Sequence, residues 1–327
     1  MDPTLLLTNL LNPAVLFFFL GMMAVLLKSD LEIPQPLPKF FSLYLLVAIG
    51  LKGGQGLHAS GWNTLTVTTL GAALIMSMLI PLAAFFVLRR RLDRANAAAI
   101  AATYGSVSAV TFIAATALLE SVGVAYGGHM VAALALMESP AIIIGVALAR
   151  RRGVREESDA PDAAGGWREL FREAFFNGSV FLLMGSLVIG LLIGPKGHQS
   201  LSVFTDGMFK GILCLFLLDM GLVSARRLSE LRALGAFTIG FALVAPLAQG
   251  LAGLLVAKLL GLGEGDALLF AVLCGSASYI AVPAAVRHAI PAASPGVYVT
   301  MALGITFPLN ILAGLPLYHA LIRALWE

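Results

Sequence analysis

Two short runs in this 327-residue chain place glycine and hydroxyl residues in the middle of apolar segments. One reads Thr103-Tyr104-Gly105-Ser106-Val107-Ser108, the other Gly275-Ser276-Ala277-Ser278, followed by Pro283. Their Gly-Ser pairs stand 170 residues apart. Glycine and serine compete with regular helix geometry and favour local unwinding. In hydrocarbon, freed backbone groups are costly unless they line a protein-walled cavity. An interrupted helix also exposes the N–H groups that open its second half. With the helix dipole, these make a seat for a small anion. Serine hydroxyls there can donate to the anion or share an oxygen with Na+. Gly105, Ser106, Val107, Ser108, Gly275, Ser276, Ala277 and Ser278 are therefore the candidate substrate-binding residues, with Ser108 and Ser278 also able to meet a cation. The plainer use of such serines is close packing of small residues between helices. Recurrence of the break at matching positions is what favours a site.

Ionisable residues within apolar segments are expensive and usually functional. Glu138, just before Pro140, is the candidate for cation coupling, because it belongs to the same half of the chain as the first break. Lys52 and Asp219 occupy matching positions in the two halves, where they could pair with each other or sit at helix ends near water. Asn310, beside Pro308, is a polar candidate whose plainer role is an interhelical hydrogen bond. Histidines 58, 129, 198, 288 and 319 show no metal-ligand spacing, so Na+ is the only metal expected and no other cofactor is. Cys214 and Cys274 lie in apolar runs and read as small buried residues. An intramembrane hydrolase would need Ser106 with a base such as His129 in hydrogen-bond reach. The duplicated break has no duplicated histidine, so the chain is read as not an enzyme.

The frame that positions these residues follows from composition. Apolar residues make up 59% of the chain and charged ones only 12%, against about 25% in an average soluble domain. Mean hydropathy is +0.92. These values argue against a soluble enzyme, a nucleic-acid binder or a disordered chain, and make the bilayer the expected solvent. Ten apolar segments can be marked, near 13–28, 39–57, 64–89, 95–119, 125–149, 174–194, 203–223, 234–259, 267–289 and 296–323. The expected fold is all-α. Residues 1–9 show no basic start and no small-residue cleavage site, so no cleaved signal peptide is expected. Lysine and arginine concentrate in the odd loops, sixteen against four in the even loops and tails. By the positive-inside rule, the odd loops are cytoplasmic and both termini extracytoplasmic. Trp62, Trp167 and Trp326 sit near the predicted interfaces.

The chain also repeats itself. "ATYGSVSAVTFIAA" (102–115) resembles "VLCGSASYIAVPAA" (272–285). Pro81 matches Pro246 at an offset of 165, Pro140 matches Pro308 at 168, and Lys52 matches Asp219 at 167. Residues 1–150 and 174–327 thus hold five segments each, joined by a polar linker, 151–173, expected in the cytoplasm. An odd number of spans turns the second half the other way up. Inverted repeats of this kind mark secondary transporters and supply two similar conformations open to opposite sides.

Several stretches carry a family resemblance. "FFFLGMMAVLLKSDLEIPQPLPKFFSLYLLVAIGLKGG" (17–54), "GSVSAVTFIAA" (105–115), "MESPAI" (137–142), "MGLVSARRLSELR" (220–232) and "PAAVRHAIPAASPGVYV" (283–299) resemble, in order, the sodium-dependent bicarbonate permease family. The resemblance implies a trimeric inner-membrane symporter of Na+ and bicarbonate with ten helices, similar in fold to sodium–bile-acid symporters. Helices 3–5 and 8–10 would form the transport core, and helices 1, 2, 6 and 7 the gate or scaffold. It places the ligand site at Gly105, Ser106, Ser108, Thr111, Ser276 and Ser278, with Glu138 at the family's acidic position. Cyanobacterial members carry Ser-Ser-Ser-Asp-Ile-Ser-Gly-Pro in segment 9, where this chain has Tyr279 for the acid and Ala281 for a serine. Those members also bind a PII-like regulator from the cytoplasm.

The expectation is therefore a secondary transporter in a bacterial inner membrane, surrounded by lipid, importing a small inorganic anion, bicarbonate with Na+ first among them. Alternatives are another small anion, coupling to H+ through Glu138, or a passive anion channel.

Overall fold

The computed structural model describes residues 11–150, 172, 176–228, 230–231 and 234–326, apart from the side chains of Pro195, Ala284 and His288. The first ten residues and nearly all of the linker, Trp167 included, lie outside the described residues. Among the described residues all regular structure is helical. The helices are α1 (Pro13–Leu26), α2 (Leu37–Ser60), α3 (Thr64–Leu88), α4 (Arg94–Gly105), α5 (Ala109–Val122) and α6 (His129–Arg150). They continue as α7 (Gly178–Gly194), α8 (Lys196–Leu228), α9 (Ala236–Leu260), α10 (Glu264–Gly275), α11 (Ala281–Ala289) and α12 (Pro295–Trp326).

Seven stretches are long and apolar enough to cross a membrane: α2, α3, the α4–α5 path, α6, α8, α9 and α12. The other three expected segments are helical but shorter or divided. α1 has 14 residues, about 21 Å at 1.5 Å per residue, against a hydrocarbon core of about 30 Å. α7 ends at Gly194, whose φ of 62° and ψ of −169° only glycine adopts easily, so the chain turns there into α8. The ninth segment is split into helices of 12 and 9 residues. α8 starts before the predicted seventh segment and contains a π turn at Val203–Gly207. Two more π turns, Met301–Thr306 and Asn310–Gly314, flank Pro308 in α12.

Polar caps set several helix starts. Asn12, Asn63, Asp93, Ser108 and Asn177 each accept a hydrogen bond from an N–H of the first turn. Packing then sorts the helices. α1 lies on α8, and α2 on α7. Both pairs approach through glycine, as membrane helices do where no side chain separates the backbones. A Cβ on Gly21 would sit 2.1 Å from the Leu218 carbonyl oxygen, and one on Gly221 would sit 2.1 Å from that of Phe18. α3, α4 and α6 pack together, while α10 packs on α9, α12 and α5. The most apolar window of the α4–α5 path is 94% buried, against 28% for that of α9. The interrupted helix is therefore the centre of the molecule, and α9 is part of its rim.

Candidate functional site

The two breaks have the same construction. α4 and α10 are each 12 residues long and end on the paired glycines, Gly105 and Gly275. The serine that follows is extended in both, with φ −86° and ψ 178° at Ser106 and φ −100° and ψ 170° at Ser276. Each glycine is pressed by the matched proline turn of a neighbouring helix. A Cβ on Gly105 would fall 2.6 Å from the Pro81 ring, and one on Gly275 would fall 2.7 Å from the Pro246 carbonyl oxygen. The breaks also touch. The Ser108 N–H donates to Ser276 Oγ at 2.9 Å, and the Ser278 N–H donates to the Thr103 carbonyl at 2.9 Å. Two of the N–H groups in the breaks are thus satisfied by the opposite break, as buried donors require.

Each predicted side chain has a definite place. Ser106 Oγ donates to the Glu138 carbonyl at 3.2 Å. Ser108 caps α5, accepting from the Thr111 N–H at 3.2 Å and from its hydroxyl at 2.9 Å. Ser278 Oγ accepts from the Val282 N–H at 3.4 Å. Asn310 Nδ2 donates to the Gly275 carbonyl at 2.9 Å, an orphan acceptor at the end of α10, while Asn310 Oδ1 is buried without a partner. α11 has no side-chain cap at Ile280.

Beside the crossing lies a cavity of about 30 Å³. One water needs roughly 10–15 Å³ on this measure, so the space suits an occupant of very few atoms. Residues 107–110 and 278–281 line it, which puts the first turns of α5 and α11 on its wall. Glu138 lines it too. Its carboxylate has no hydrogen-bond or ion-pair partner among the described residues, although the residue is only 7% exposed. Tyr279 packs edge-on against Phe307 at 5.5 Å, and its hydroxyl is buried without a hydrogen bond of normal geometry. Of the predicted residues, Val107, Ser108, Glu138, Ser278 and Tyr279 therefore reach the cavity. Gly105, Ser106, Thr111, Gly275, Ser276, Ala277 and Asn310 form the buried layer behind them.

The remaining wall comes from α2 and α7, through Ser42, Leu46 and Ser179. Sequence reasoning missed these two serines. Single serines near the start of an apolar segment carry no pattern that separates them from interface residues.

Lys52 and Asp219 do not pair with each other. Lys52 Nζ lies 3.0 Å from Glu120 and 2.9 Å from Asp206, over the Phe209 ring. The end of α5 supplies Glu120 and the start of α8 supplies Asp206, and the tertiary fold brings both to Lys52. Asp219 is buried on α8 and feels the charge of Arg226. His129 faces Asp266 at 3.6 Å while Ser106 is bonded to Glu138, so the two do not form a nucleophile–base pair. In the loop after α8, the Thr300 hydroxyl and the Arg227 guanidinium hold the Glu230 carboxyl below its ordinary pKa.

Seven long apolar helices define a multi-pass membrane protein, with a small cavity beside a buried polar crossing. The pattern of the Na+-dependent bicarbonate transporter superfamily matches residues 13–323, and the chain belongs to that family. It is accordingly a membrane transporter of a family that handles bicarbonate and Na+, as the resemblance implied. No curated relative matches the chain.

Proposed function

We propose that this chain imports bicarbonate together with Na+ by alternating access across a bacterial inner membrane. The observation that carries the reading is the reciprocal pair of hydrogen bonds between the breaks, with a cavity at the first turns of α5 and α11. Exposed N–H groups and two helix dipoles favour an anion there. Electrostatics supplies a reason for coupling. An ionised Glu138 and an anion in one buried cavity repel each other strongly at low dielectric. A cation between them removes most of that cost, so the anion binds well only with its partner ion. Na+ would be held by Glu138 with oxygens of Ser108 and Ser278, backed by Thr111 and Asn310. The substrate would sit against residues 105–108 and 275–278.

In this reading the two halves are inverted repeats. Helices α3–α6 and α9–α12 move as the transport core against α1, α2, α7 and α8. Both termini are extracytoplasmic, the linker is cytoplasmic, the assembly is a homotrimer, and a PII-like regulator docks from the cytoplasm. H+ coupling is the second reading, favoured by the unpaired carboxylate of Glu138 on the cavity wall.

The test is labelled bicarbonate uptake into proteoliposomes, first with an imposed Na+ gradient and then with an imposed H+ gradient. Concentrative uptake under Na+ alone is expected. Concentrative uptake under H+ alone selects the second reading. Flux that never exceeds equilibration under either gradient removes the symporter and leaves a channel.

A further inference from the structure

The serines singled out by their spacing are largely engaged. Ser106 donates to a carbonyl, and Ser276 accepts from the Ser108 N–H. Ser108 and Ser278 accept from N–H groups in the first turns of the helices that follow them. An oxyanion such as bicarbonate offers three oxygens and needs several donors to leave water. Those donors must therefore come in part from groups outside the breaks.

The cavity has such groups. Ser42 on α2 and Ser179 on α7 both line it, and neither hydroxyl has a hydrogen-bond partner among the described residues. Helical serines commonly bond back to their own carbonyls. Ser200 and Ser202 do so here, whereas Ser42 and Ser179 do not, and the two hydroxyls share one cavity wall. Tyr279 adds no free donor, because its hydroxyl is buried beside Ser108. The position of the serines is also defined by packing. α2 and α7 lie against each other at glycine, with a Cβ on Gly50 only 2.6 Å from Ser186 Cβ.

We infer that Ser42 and Ser179 are substrate-binding residues. Their hydroxyls hold the transported oxyanion from the α2–α7 side, while the first turns of α5 and α11 hold it from the other. This deepens the function proposed above and rests on it. Neutral donors suit the place: a lysine would pair with Glu138 and shut the cavity, whereas a hydroxyl can bond an oxyanion without cancelling the carboxylate that a cation needs. The anion then bridges two groups of helices, and selectivity for a small oxyanion is set partly outside the repeated breaks.

The experiment measures Na+-driven bicarbonate uptake by the full chain in proteoliposomes. In parallel, it measures the bicarbonate-induced rise in melting temperature of the purified protein at fixed Na+. Ser42→Ala and Ser179→Ala are each expected to raise the bicarbonate KM and the half-saturating concentration for the thermal shift about tenfold, the loss of one hydrogen bond to a charged ligand. The maximal rate and the half-saturating Na+ concentration should change by less than about twofold on the same scale. Ser42→Thr and Ser179→Thr, which keep a hydroxyl, should recover most of the loss. Melting temperatures without bicarbonate should match the wild type, since the hydroxyls hold nothing in the fold. If the wild type binds and transports bicarbonate and the double alanine variant does so with unchanged KM, the inference is overturned and the transport reading stands. If the wild type neither binds nor transports bicarbonate under a Na+ gradient, the transport reading fails and this inference falls with it.

Discussion

The first and second breaks share their glycine, their extended serine and their proline neighbour, yet they differ in three ways. The first interruption is short, and Ser108 caps the helix that follows; the second runs from 276 to 280 and leads into a helix whose N-cap residue, Ile280, supplies no side-chain bond, Ser278 reaching the first turn from two residues before it. The first half supplies Glu138 to the cavity. At the matching offset of 168 the second half has Thr306, which bonds Tyr104 at 2.6 Å and the Ala242 carbonyl at 3.0 Å instead. Finally, the atoms nearest a Cβ on Gly275 come from three groups, the Pro246 carbonyl, the Tyr318 hydroxyl and Gly250, whereas the three nearest one on Gly105 all belong to the Pro81 ring. The two breaks thus share a scaffold of two helix ends. In the proposed division of work, Glu138 of the first half balances a cation, and the second half supplies no matching charge.

The strongest challenge to this division is Glu138→Gln. Loss of a buried charge that balances a bound cation costs about 3 kcal/mol or more. That is roughly a hundredfold rise in the half-saturating Na+ concentration of uptake. Thr306→Val should leave Na+ dependence unchanged, and equal Na+ defects in the two variants would dissolve the asymmetry. Next come the glycines. Gly275→Ala is expected to cost about 3 kcal/mol and Gly105→Ala about 1 kcal/mol, the upper and lower ends of the usual overpacking range. Melting curves of the two variants in one detergent make the comparison, and equal losses would mean that the breaks are packed alike.

The crossing is probed by Ser276→Ala, which leaves the Ser108 N–H buried without a partner and should cost about 1–3 kcal/mol with impaired uptake. Ser108→Ala removes a helix cap and should cost about 1 kcal/mol in the same melts. Wild-type stability in both would mean that the breaks do not support each other. The smallest effect is expected away from the breaks, at Lys52. Its ion pairs with Glu120 and Asp206 are partly exposed, so Lys52→Met should lower stability by no more than about 1 kcal/mol.

Much of this was legible in the chain. Gly105 and Gly275 end their helices where the repeat placed the breaks, and Glu138 reaches the cavity from beside Pro140. Other features were not. Lys52 matched Asp219 in the repeat, but its partners are Glu120 and Asp206, brought to it by helix ends distant in sequence. Type and spacing singled out Ser106 and Ser276 but did not show that their hydroxyls bond a carbonyl and a backbone N–H in the layer behind the cavity. The lengths of α1 and α7 were not legible either, because hydropathy averages run on past the residues where the helix stops.

Ser42 and Ser179 show where the boundary lies. The order of residues determines where hydrocarbon can cover the chain, where a helix must unwind and which few charges are buried, because these are local costs of solvation and backbone geometry. Which side of α2 or α7 faces the cavity depends on how each helix is rotated about its axis. That rotation is set by the close glycine contacts of α2 with α7, between residues more than a hundred positions apart, and only the packed structure decides it.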